Sequence, residues 1–423
     1  MSEKGDGGME HFITEIQIRE LLHLSDIRIE LNPERRTNLL LTGKNGSGKT
    51  TILRAVKQYL KAVNDGKLTV LEENYPKWKQ NAERELKNAK NESKKYEAQT
   101  KYQQYCRYIK EYDQGLQVTF NDKDGIEGLY KEGKFLTAFY SADRKTNIIR
   151  QEGVEDVVLH KNYSLDSIPG DILLKYLVHL KTQQAYARNE GDLDTVQMLD
   201  QWFERFVGAL RILLDDESLQ LKYDYKNYDF QIIEEGRKPF GFDQLSDGYS
   251  AAIQIVADLI LRMEQNWLKT GVLSSYDVEG VVLIDELETH LHISLQRKIL
   301  PFLTEFFPRI QFIVSTHSPY ILNSIENCVV YDLENHIRME NLSGYSAEGI
   351  VEGYFQQDSY SERLFESLRR YETLVNVKDP TEEERAERAA IQAELSRISG
   401  DLAREAKDAF EEIQQRRKQH DKV

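Results

Sequence analysis

The octapeptide GKNGSGKT constrains this chain more than any other part of its 423-residue sequence. It matches the phosphate-binding pattern GxxxxGK[ST] with the residues Gly43, Lys44, Asn45, Gly46, Ser47, Gly48, Lys49 and Thr50. Residues 39–42, three leucines and a threonine, predict a strand before it, and residues 51–62 predict a helix after it, which is the context that such a loop requires. A chance glycine-rich turn is the alternative.

The loop predicts a site for a nucleoside triphosphate, and its residues predict which groups contact the phosphates and Mg²⁺. Inward-turned backbone N–H groups and the positive end of the following helix attract phosphate oxygens. We expect Lys49 to reach the β- and γ-phosphates, Thr50 to bind Mg²⁺ through its hydroxyl group, and Thr51 to extend the nucleotide contacts.

Two acidic residues follow a second apolar run. Residues 281–284 are Val, Val, Leu and Ile, and Asp285 and Glu286 come next. A buried strand delivers such carboxylates to its carboxyl edge, where ligands of α/β proteins bind. The pair is common by itself, but beside a phosphate loop it predicts Asp285 as a Mg²⁺ ligand and Glu286 as the general base.

Two further segments extend the candidate site. The residues Leu245, Ser246, Asp247 and Gly248 precede a long amphipathic helix, whose N-terminus attracts anions. His317 follows another apolar strand. An ordinary helix cap and an ordinary loop histidine are the alternatives.

In their order and separation these four segments resemble the motifs of ABC ATPases: the Walker A loop, the LSGGQ-like signature, the Walker B strand with its catalytic glutamate, and the switch histidine. The resemblance implies ATP and Mg²⁺ as cofactors and a homodimer in which the signature of one subunit caps the ATP of the other. It also implies that His317 contacts the γ-phosphate. The signature departs from the usual pattern at Asp247 and Tyr249.

The stretches FYSADR, at residues 139–144, and DELETHLH, at residues 285–292, are similar to the RecF/SMC-like and OLD-family ATPases, a group with AAA_15- and AAA_21-like domains. They resemble in particular the PtuA ATPases of the Septu and retron phage-defence systems. That resemblance implies a separate effector protein, such as a nuclease or a toxin. No Q-loop glutamine can be assigned, and residues 141–144 occupy roughly its place.

Several alternatives stay open. Glu288, His290 and His292 suggest a metal site, but we favour a dimer-contacting loop, because side chains two residues apart cannot share one helix face. An intrinsic nuclease is not expected, since only roughly a hundred residues follow His317 and the acidic cluster at residues 382–384 begins a helix. The main rival function is a DNA-repair or chromosome-associated ATPase that binds DNA directly, and the third is a scaffold that hydrolyses ATP slowly.

The composition of the chain limits its expected partners and its expected cellular compartment. The formal net charge of −15 argues against a surface built as a whole to coat nucleic acid, although a local basic patch can exist within it. No apolar run is long enough to span a bilayer, and the N-terminus lacks a secretory signal. Cys106 and Cys328 have no metal-ligand spacing, which favours a reducing compartment, and we expect the cytoplasm.

We expect an α/β fold: a P-loop ABC-ATPase head with a mainly parallel sheet, an antiparallel N-terminal subdomain, a helical subdomain and a short helical insertion. The expected divisions are a disordered tail at 1–10, the head at 11–355, and a C-terminal helical region at 356–423. Within the head, 72–113 is a helical arm and 165–250 a helical lobe with the signature. The arm is either a solvated hairpin or a partner- or DNA-contacting projection. A higher oligomer of dimers stays open.

Overall fold

The computed structural model describes residues 10–144, 153–270, 278–353, 362–377 and 380–396, together with residues 410 and 413. The tail expected at residues 1–10 lies outside the described residues except for Glu10. The chain forms two compact units, Met1–Gly344 and Tyr345–Val423.

Twelve strands and twelve α-helices are described. The strands are β1 (Ile13–Leu21), β2 (Leu24–Glu30), β3 (Asn38–Thr42), β4 (Leu116–Phe120), β5 (Phe135–Tyr140), β6 (Gln220–Asp224), β7 (Asp229–Ile233), β8 (Phe240–Gly241), β9 (Glu279–Ile284), β10 (Ile310–Ser315), β11 (Cys328–Asp332) and β12 (Ile337–Glu340). The helices are α1 (Lys49–Asn64), α2 (Tyr75–Asn88), α3 (Glu92–Tyr112), α4 (Ile126–Glu132), α5 (Leu173–Glu190), α6 (Leu193–Leu214), α7 (Asp247–Thr270), α8 (Ile293–Phe306), α9 (Pro319–Leu322), α10 (Ala347–Gly353), α11 (Glu362–Val375) and α12 (Glu382–Leu395).

A six-stranded sheet organises the first unit. Its order is β12-β11-β3-β10-β9-β5, and every neighbouring pair is parallel except β11 with β12. Every residue of β3, β9 and β10 is buried, as expected for central strands covered on both faces. The predicted α/β class with a mainly parallel sheet is therefore confirmed.

Two smaller antiparallel sheets accompany it. The N-terminal sheet has the order β2-β1-β4, and its alternating apolar residues join α1 in one core. The third sheet has the order β6-β7-β8. The segment 165–250 therefore contains a small sheet besides α5 and α6, and is not purely helical.

Two helices occupy most of the segment expected to form an arm. Helix α2 packs along α3, and Asn91 caps α3 by accepting a hydrogen bond of 2.9 Å from the N–H of Lys94. Tyr75 and Tyr112, at the base of the hairpin, are 7% and 5% exposed and belong to the core. None of the described helices is both long and apolar enough to cross a membrane.

The second unit contains α10, α11 and α12. Tyr371 is fully buried in a small cluster with Leu368, Leu395 and Phe410. Arg370 of α11 and Glu387 of α12 form an ion pair of 2.7 Å. The C-terminal helices thus share a core of their own, and the acidic residues 382–384 begin α12.

Candidate active site

Four neighbouring strands end at one edge of the large sheet. Strand register places Ser315 beside Leu41, Val314 beside Ile284, and Ile284 beside Tyr140. The segments that follow β3, β10, β9 and β5 therefore meet, and they carry the phosphate loop, His317, the pair Asp285–Glu286, and Arg144. Ligand sites of α/β sheets lie at such an edge.

The phosphate loop needs glycine at several of its positions. Gly43, Gly46 and Gly48 have φ angles of 129°, 85° and 102°, which side-chain-bearing residues rarely adopt. A Cβ atom on Gly48 would also lie 2.6 Å from Cδ1 of Leu24. The loop leads directly into α1, which begins at Lys49.

Lys49 is a buried cation held above the loop. Its Nζ donates hydrogen bonds of 2.6 Å to the carbonyl of Gly43 and 3.0 Å to the carbonyl of Lys44. Burial lowers the pKa of Lys49, and the carboxylates of Glu286, Glu288 and Asp285 oppose this shift. A partly desolvated ammonium group at this position suits an anionic ligand.

Asp285 joins the loop to the Walker B strand. Its Oδ1 accepts hydrogen bonds of 3.1 Å from Thr50 Oγ1 and 2.6 Å from Ser315 Oγ. Ser315 Oγ in turn accepts a hydrogen bond of 2.8 Å from the N–H of Glu286. Sequence reasoning missed Ser315, because only the pairing of β10 with β9 brings it to Asp285.

Arg144 holds the main chain around Glu286. Its Nη1 lies 2.9 Å from the carbonyl oxygen of Asp285 and its Nη2 lies 2.9 Å from that of Glu286. Glu286 has a φ of 46°, a conformation that costs energy for a residue with a side chain. Burial lowers the pKa of Arg144, but an arginine stays charged at neutral pH.

Glu288 ties the Walker B turn to the histidine loop. Its Oε1 accepts a hydrogen bond of 2.6 Å from the N–H of His317, and its Oε2 accepts one of 2.7 Å from Thr316 Oγ1. His290 and His292 are exposed, and no group of three His, Cys, Asp or Glu side chains within the described ranges could hold a metal ion. The three-residue metal site considered for Glu288, His290 and His292 therefore finds no support in the described structure.

Two buried polar atoms at the site fit a phosphate ligand. Within the described residues, Ser47 Oγ and His317 Nε2 are buried without a hydrogen-bond partner. Buried polar groups are nearly always hydrogen-bonded, so each of these atoms calls for a ligand or water. Burial and the positive charge of Lys49 lower the pKa of His317, which keeps its imidazole neutral at pH 7. The oxygens of Thr50 and Asp285 fit Mg²⁺, which takes few protein ligands and completes its shell with phosphate and water.

The signature residues lie elsewhere on the unit. Leu245, Ser246, Asp247 and Gly248 stand at the start of α7, and no hydrogen bond joins them to the phosphate loop in the described part of the chain. Ser246 and Asp247 are exposed. A Cβ atom on Gly248 would lie 2.3 Å from the carbonyl oxygen of His290, so the residue there must be glycine. The signature thus contacts the turn after β9 and not the loop itself.

A cleft of about 350 Å³ opens beside the phosphate loop. The β1–β2 turn contributes one wall, the loop another, and the chain after β11 the third. The lining residues are His23, Leu24, Ser25, Lys44, Asn45, Gly46, Ser47, Leu333, Glu334 and His336. The cleft is large enough to hold a nucleoside joined to phosphates in the loop.

A buried ionic cluster connects β5 to the signature helix. Tyr140, at the end of β5, donates a hydrogen bond of 2.5 Å to Asp258 of α7, and Arg262 pairs with the same carboxylate at 2.7 Å. Both charged side chains are at most 2% exposed. Arg262 also donates to the carbonyl oxygen of Thr137 in β5. Helix α7 is therefore attached to the strand that leads into Arg144.

The chain is similar in sequence to two known proteins and in fold to a solved structure. Over 421 residues the chain is 24% identical to the Septu protein PtuA of Bacillus mycoides (strain KBAB4), covering 95% of this chain and 53% of that protein. It is 28% identical over 200 residues to the Retron Ec83 probable ATPase of Escherichia coli, covering 46% of this chain and 34% of that protein. The solved SMC head bound to the C-winged helix domain of ScpA matches with a TM-score of 0.39 at 12% identity, covering 79% of this chain and 99% of that chain.

The chain thus spans about half the length of the first of these relatives and about a third of the second. The resemblance predicted from the motifs to proteins of the Septu and retron systems is confirmed. The family described as "AAA domain, putative AbiEii toxin, Type IV TA system" matches residues 39–323, about two thirds of the sequence, from β3 through the histidine loop. The chain belongs to this AAA-domain family, AAA_21.

Proposed function

We propose that this protein binds ATP with Mg²⁺ and hydrolyses it at sites shared between two copies of the chain. The observation that carries the proposal is the contact of 3.1 Å between Thr50 Oγ1 and Asp285 Oδ1, because it joins the phosphate loop to the acidic strand end. Two independently predicted motifs meet there with the oxygen ligands that Mg²⁺ takes.

Each residue then has a role that follows from its chemistry. Lys49 binds the β- and γ-phosphates, and the loop from Gly43 to Gly48 surrounds them with N–H groups. Thr50 and Asp285 would hold Mg²⁺, which neutralises charge on the phosphates. Glu286 accepts the proton of the attacking water, and its position depends on the main chain held by Arg144.

We assign His317 to the γ-phosphate of the bound ATP. Its N–H main-chain group is fixed by Glu288, while its Nε2 is buried without a partner in the described structure. A neutral imidazole can carry a proton on Nε2 and donate it to a phosphate oxygen. We assign the cleft beside His23 to the nucleoside of the same ATP.

A second copy of the chain would complete each site. Ser246 and Asp247 are exposed at the start of α7, where the helix dipole and free N–H groups attract an anion. In an isologous dimer each copy offers this surface to the phosphates held by the other. ATP then acts as the bridge that closes the dimer, and hydrolysis opens it.

The opening and closing would be transmitted to a separate effector in antiphage defence. The supporting observation is similarity to a Septu protein and a retron ATPase over part of their lengths. A scaffold that hydrolyses ATP slowly is a further candidate, and a single-turnover assay distinguishes it from the switch by the rate of the first hydrolysis event.

Mixing two inactive variants tests the shared site. Ser246→Arg keeps its own phosphate loop but cannot cap a neighbour, and Lys49→Ala has the opposite defect. A mixed dimer contains one site with both defects and one intact site, so about a quarter of parental activity should return after random exchange. Cooperative firing of the two sites would lower this fraction.

The matched control mixes Lys49→Ala with Glu286→Gln. Both substitutions disable the half-site on the phosphate-loop side, so neither site of that mixed dimer is intact and no activity should return. Subunit exchange is verified with two differently labelled variants. Equal recovery in both mixtures, or none in the first despite exchange and independent sites, would contradict a signature that acts between subunits.

A further inference from the structure

The hairpin of α2 and α3 carries a charge opposite to that of the protein. Residues 75–112 contain ten Lys and Arg residues and five Glu residues, a net charge of +5. The chain as a whole has −15, which leaves −20 on all other residues. Such a contrast within one chain indicates a local electrostatic surface with its own partner.

Part of the positive charge that is free for a partner lies at the tip of the hairpin. Lys87 pairs with Glu83 at 2.7 Å, and Lys101 pairs with Glu85 at 3.5 Å, so these charges are partly neutralised within the arm. The three remaining lysines of the tip are exposed and have no carboxylate within ion-pair distance among the described residues. They are Lys90, Lys94 and Lys95.

The helix dipole does not account for this placement. Lys94 and Lys95 lie with Glu92 in the first turn of α3, at the positive end of the helix dipole, where a cation lowers helix stability. Tyr96, next to them, is 74% exposed, although four other aromatic rings of the arm pack together near its base, those of Tyr75, Trp78, Tyr105 and Tyr108. Exposed lysines beside an exposed aromatic ring are typical of surfaces that bind phosphates and stack on bases.

Distance separates the tip from the acidic head. Tyr108 packs against the core at the base, and Lys94 precedes it along α3 by about 20 Å at 1.5 Å per residue. The Debye length at physiological ionic strength is about 8 Å. Repulsion between a polyanion and the acidic head is therefore largely screened at the tip.

We propose that the tip of this arm, with Lys90, Lys94, Lys95 and Tyr96, binds nucleic acid through the phosphate backbone. This function goes beyond the proposed ATP-controlled dimer and does not depend on hydrolysis. The tip residues lie outside the candidate active site, so basal ATPase activity is independent of them.

The test measures binding of the full-length protein to a fluorescent 30-nucleotide probe by anisotropy at several salt concentrations. Single-stranded DNA, duplex DNA and RNA of one sequence are compared, which identifies the source of the phosphates. The variant Lys90→Glu/Lys94→Glu/Lys95→Glu should bind at least tenfold more weakly. Its slope of log affinity against log salt should be smaller by about 2 to 3, as expected for three lost phosphate contacts.

The control variant Lys222→Glu/Lys226→Glu/Lys238→Glu changes the net charge equally at three exposed lysines of the small β6–β8 region. It should retain at least half of the parental affinity, and both variants should keep parental basal ATPase activity as evidence of folding. Tyr96→Ala should weaken single-stranded probes more than the duplex.

Three results would overturn the proposal: no binding of any probe at low salt, equal losses in the two triple variants, or parental affinity in the tip variant. Binding of poly-glutamate with the affinity and salt dependence of the DNA probe would assign the tip to acidic proteins instead.

Discussion

The guanidinium of Arg144 donates a hydrogen bond of 2.9 Å to the main-chain carbonyl of Glu286, the proposed general base. A second bond of 2.9 Å reaches the carbonyl of Asp285. Glu286 stands in the left-handed region with a φ of 46°, so its backbone needs such support to stay there. Arg144 therefore acts on hydrolysis as a positioning residue, through the orientation of Glu286.

Arg144→Gln should lower kcat by about 10- to 100-fold, because small displacements of a catalytic group have effects of this size. Nucleotide affinity should change less than threefold, since the contacts of Arg144 are to the Walker B main chain. Steady-state kinetics and equilibrium ATP binding measure the two quantities. The exposed Arg188→Gln serves as control, and a loss confined to ATP affinity would refute the positioning role.

Lys49→Ala should weaken ATP binding at least about tenfold, because a charge-assisted hydrogen bond to phosphate contributes about 1.5–3 kcal/mol. Lys61→Ala is the matched control on the same helix. Lys61 is exposed in the last turn of α1, at the end opposite to the phosphate loop, so its removal should leave ATP affinity unchanged. Calorimetric titration with ATP measures both affinities. Near-normal affinity of the Lys49 variant would show that the loop is not the phosphate-binding site.

Glu286→Gln should reduce hydrolysis by about 10²- to 10⁴-fold, the usual contribution of a general base, while ATP still binds and closed dimers accumulate. Asp285→Asn should instead weaken binding that depends on Mg²⁺. Turnover and light scattering measure hydrolysis and dimer formation, and ATP binding with and without EDTA measures the dependence on Mg²⁺. Together these measurements separate the roles of the two carboxylates. Parental turnover in the Glu286 variant would mean that another group activates the water.

Arg262→Met should lower the free energy of unfolding by about 3–5 kcal/mol, because it leaves the buried carboxylate of Asp258 without its cation. The double variant Arg262→Met/Asp258→Asn should recover part of the lost free energy of unfolding, because it no longer carries a buried unpaired carboxylate. Arg28→Met is the surface control, since Arg28 is 61% exposed beside Glu15, and it should leave the free energy of unfolding nearly unchanged. Urea unfolding measures all four proteins; equal losses for the buried and surface variants would contradict the prediction.

His317 should make stability depend on pH. The pKa of His317 is lowered in the folded protein. Below about pH 6.5 the histidine is therefore protonated to a greater extent in the unfolded chain than in the folded chain. This contribution to stability is fully present above pH 6.5 and is lost as the pH falls. Urea unfolding at pH 7.5 and 5.5 should show a smaller loss for His317→Gln than for the parental protein, and equal losses would refute the effect.

The local sequence was sufficient to predict the motifs that consist of consecutive residues. The phosphate loop needs glycines at Gly43, Gly46 and Gly48, and the strand before it and the helix after it are visible in the chain itself. Asp285 and Glu286 follow an apolar run that indicates a buried strand. The roles of these residues remain predictions, but their meeting at one sheet edge follows from the parallel order that the alternating elements indicate.

Tertiary structure decided the contacts between segments far apart in the chain. Ser315 reaches Asp285, and Arg144 reaches Glu286, only because β10 and β5 lie on either side of β9. Glu288, considered as a metal ligand from its spacing to two histidines, turned out to bond the His317 loop. Hydrophobic periodicity shows which strands are buried but is nearly the same for every order of buried strands, so it cannot tell which side chains become neighbours.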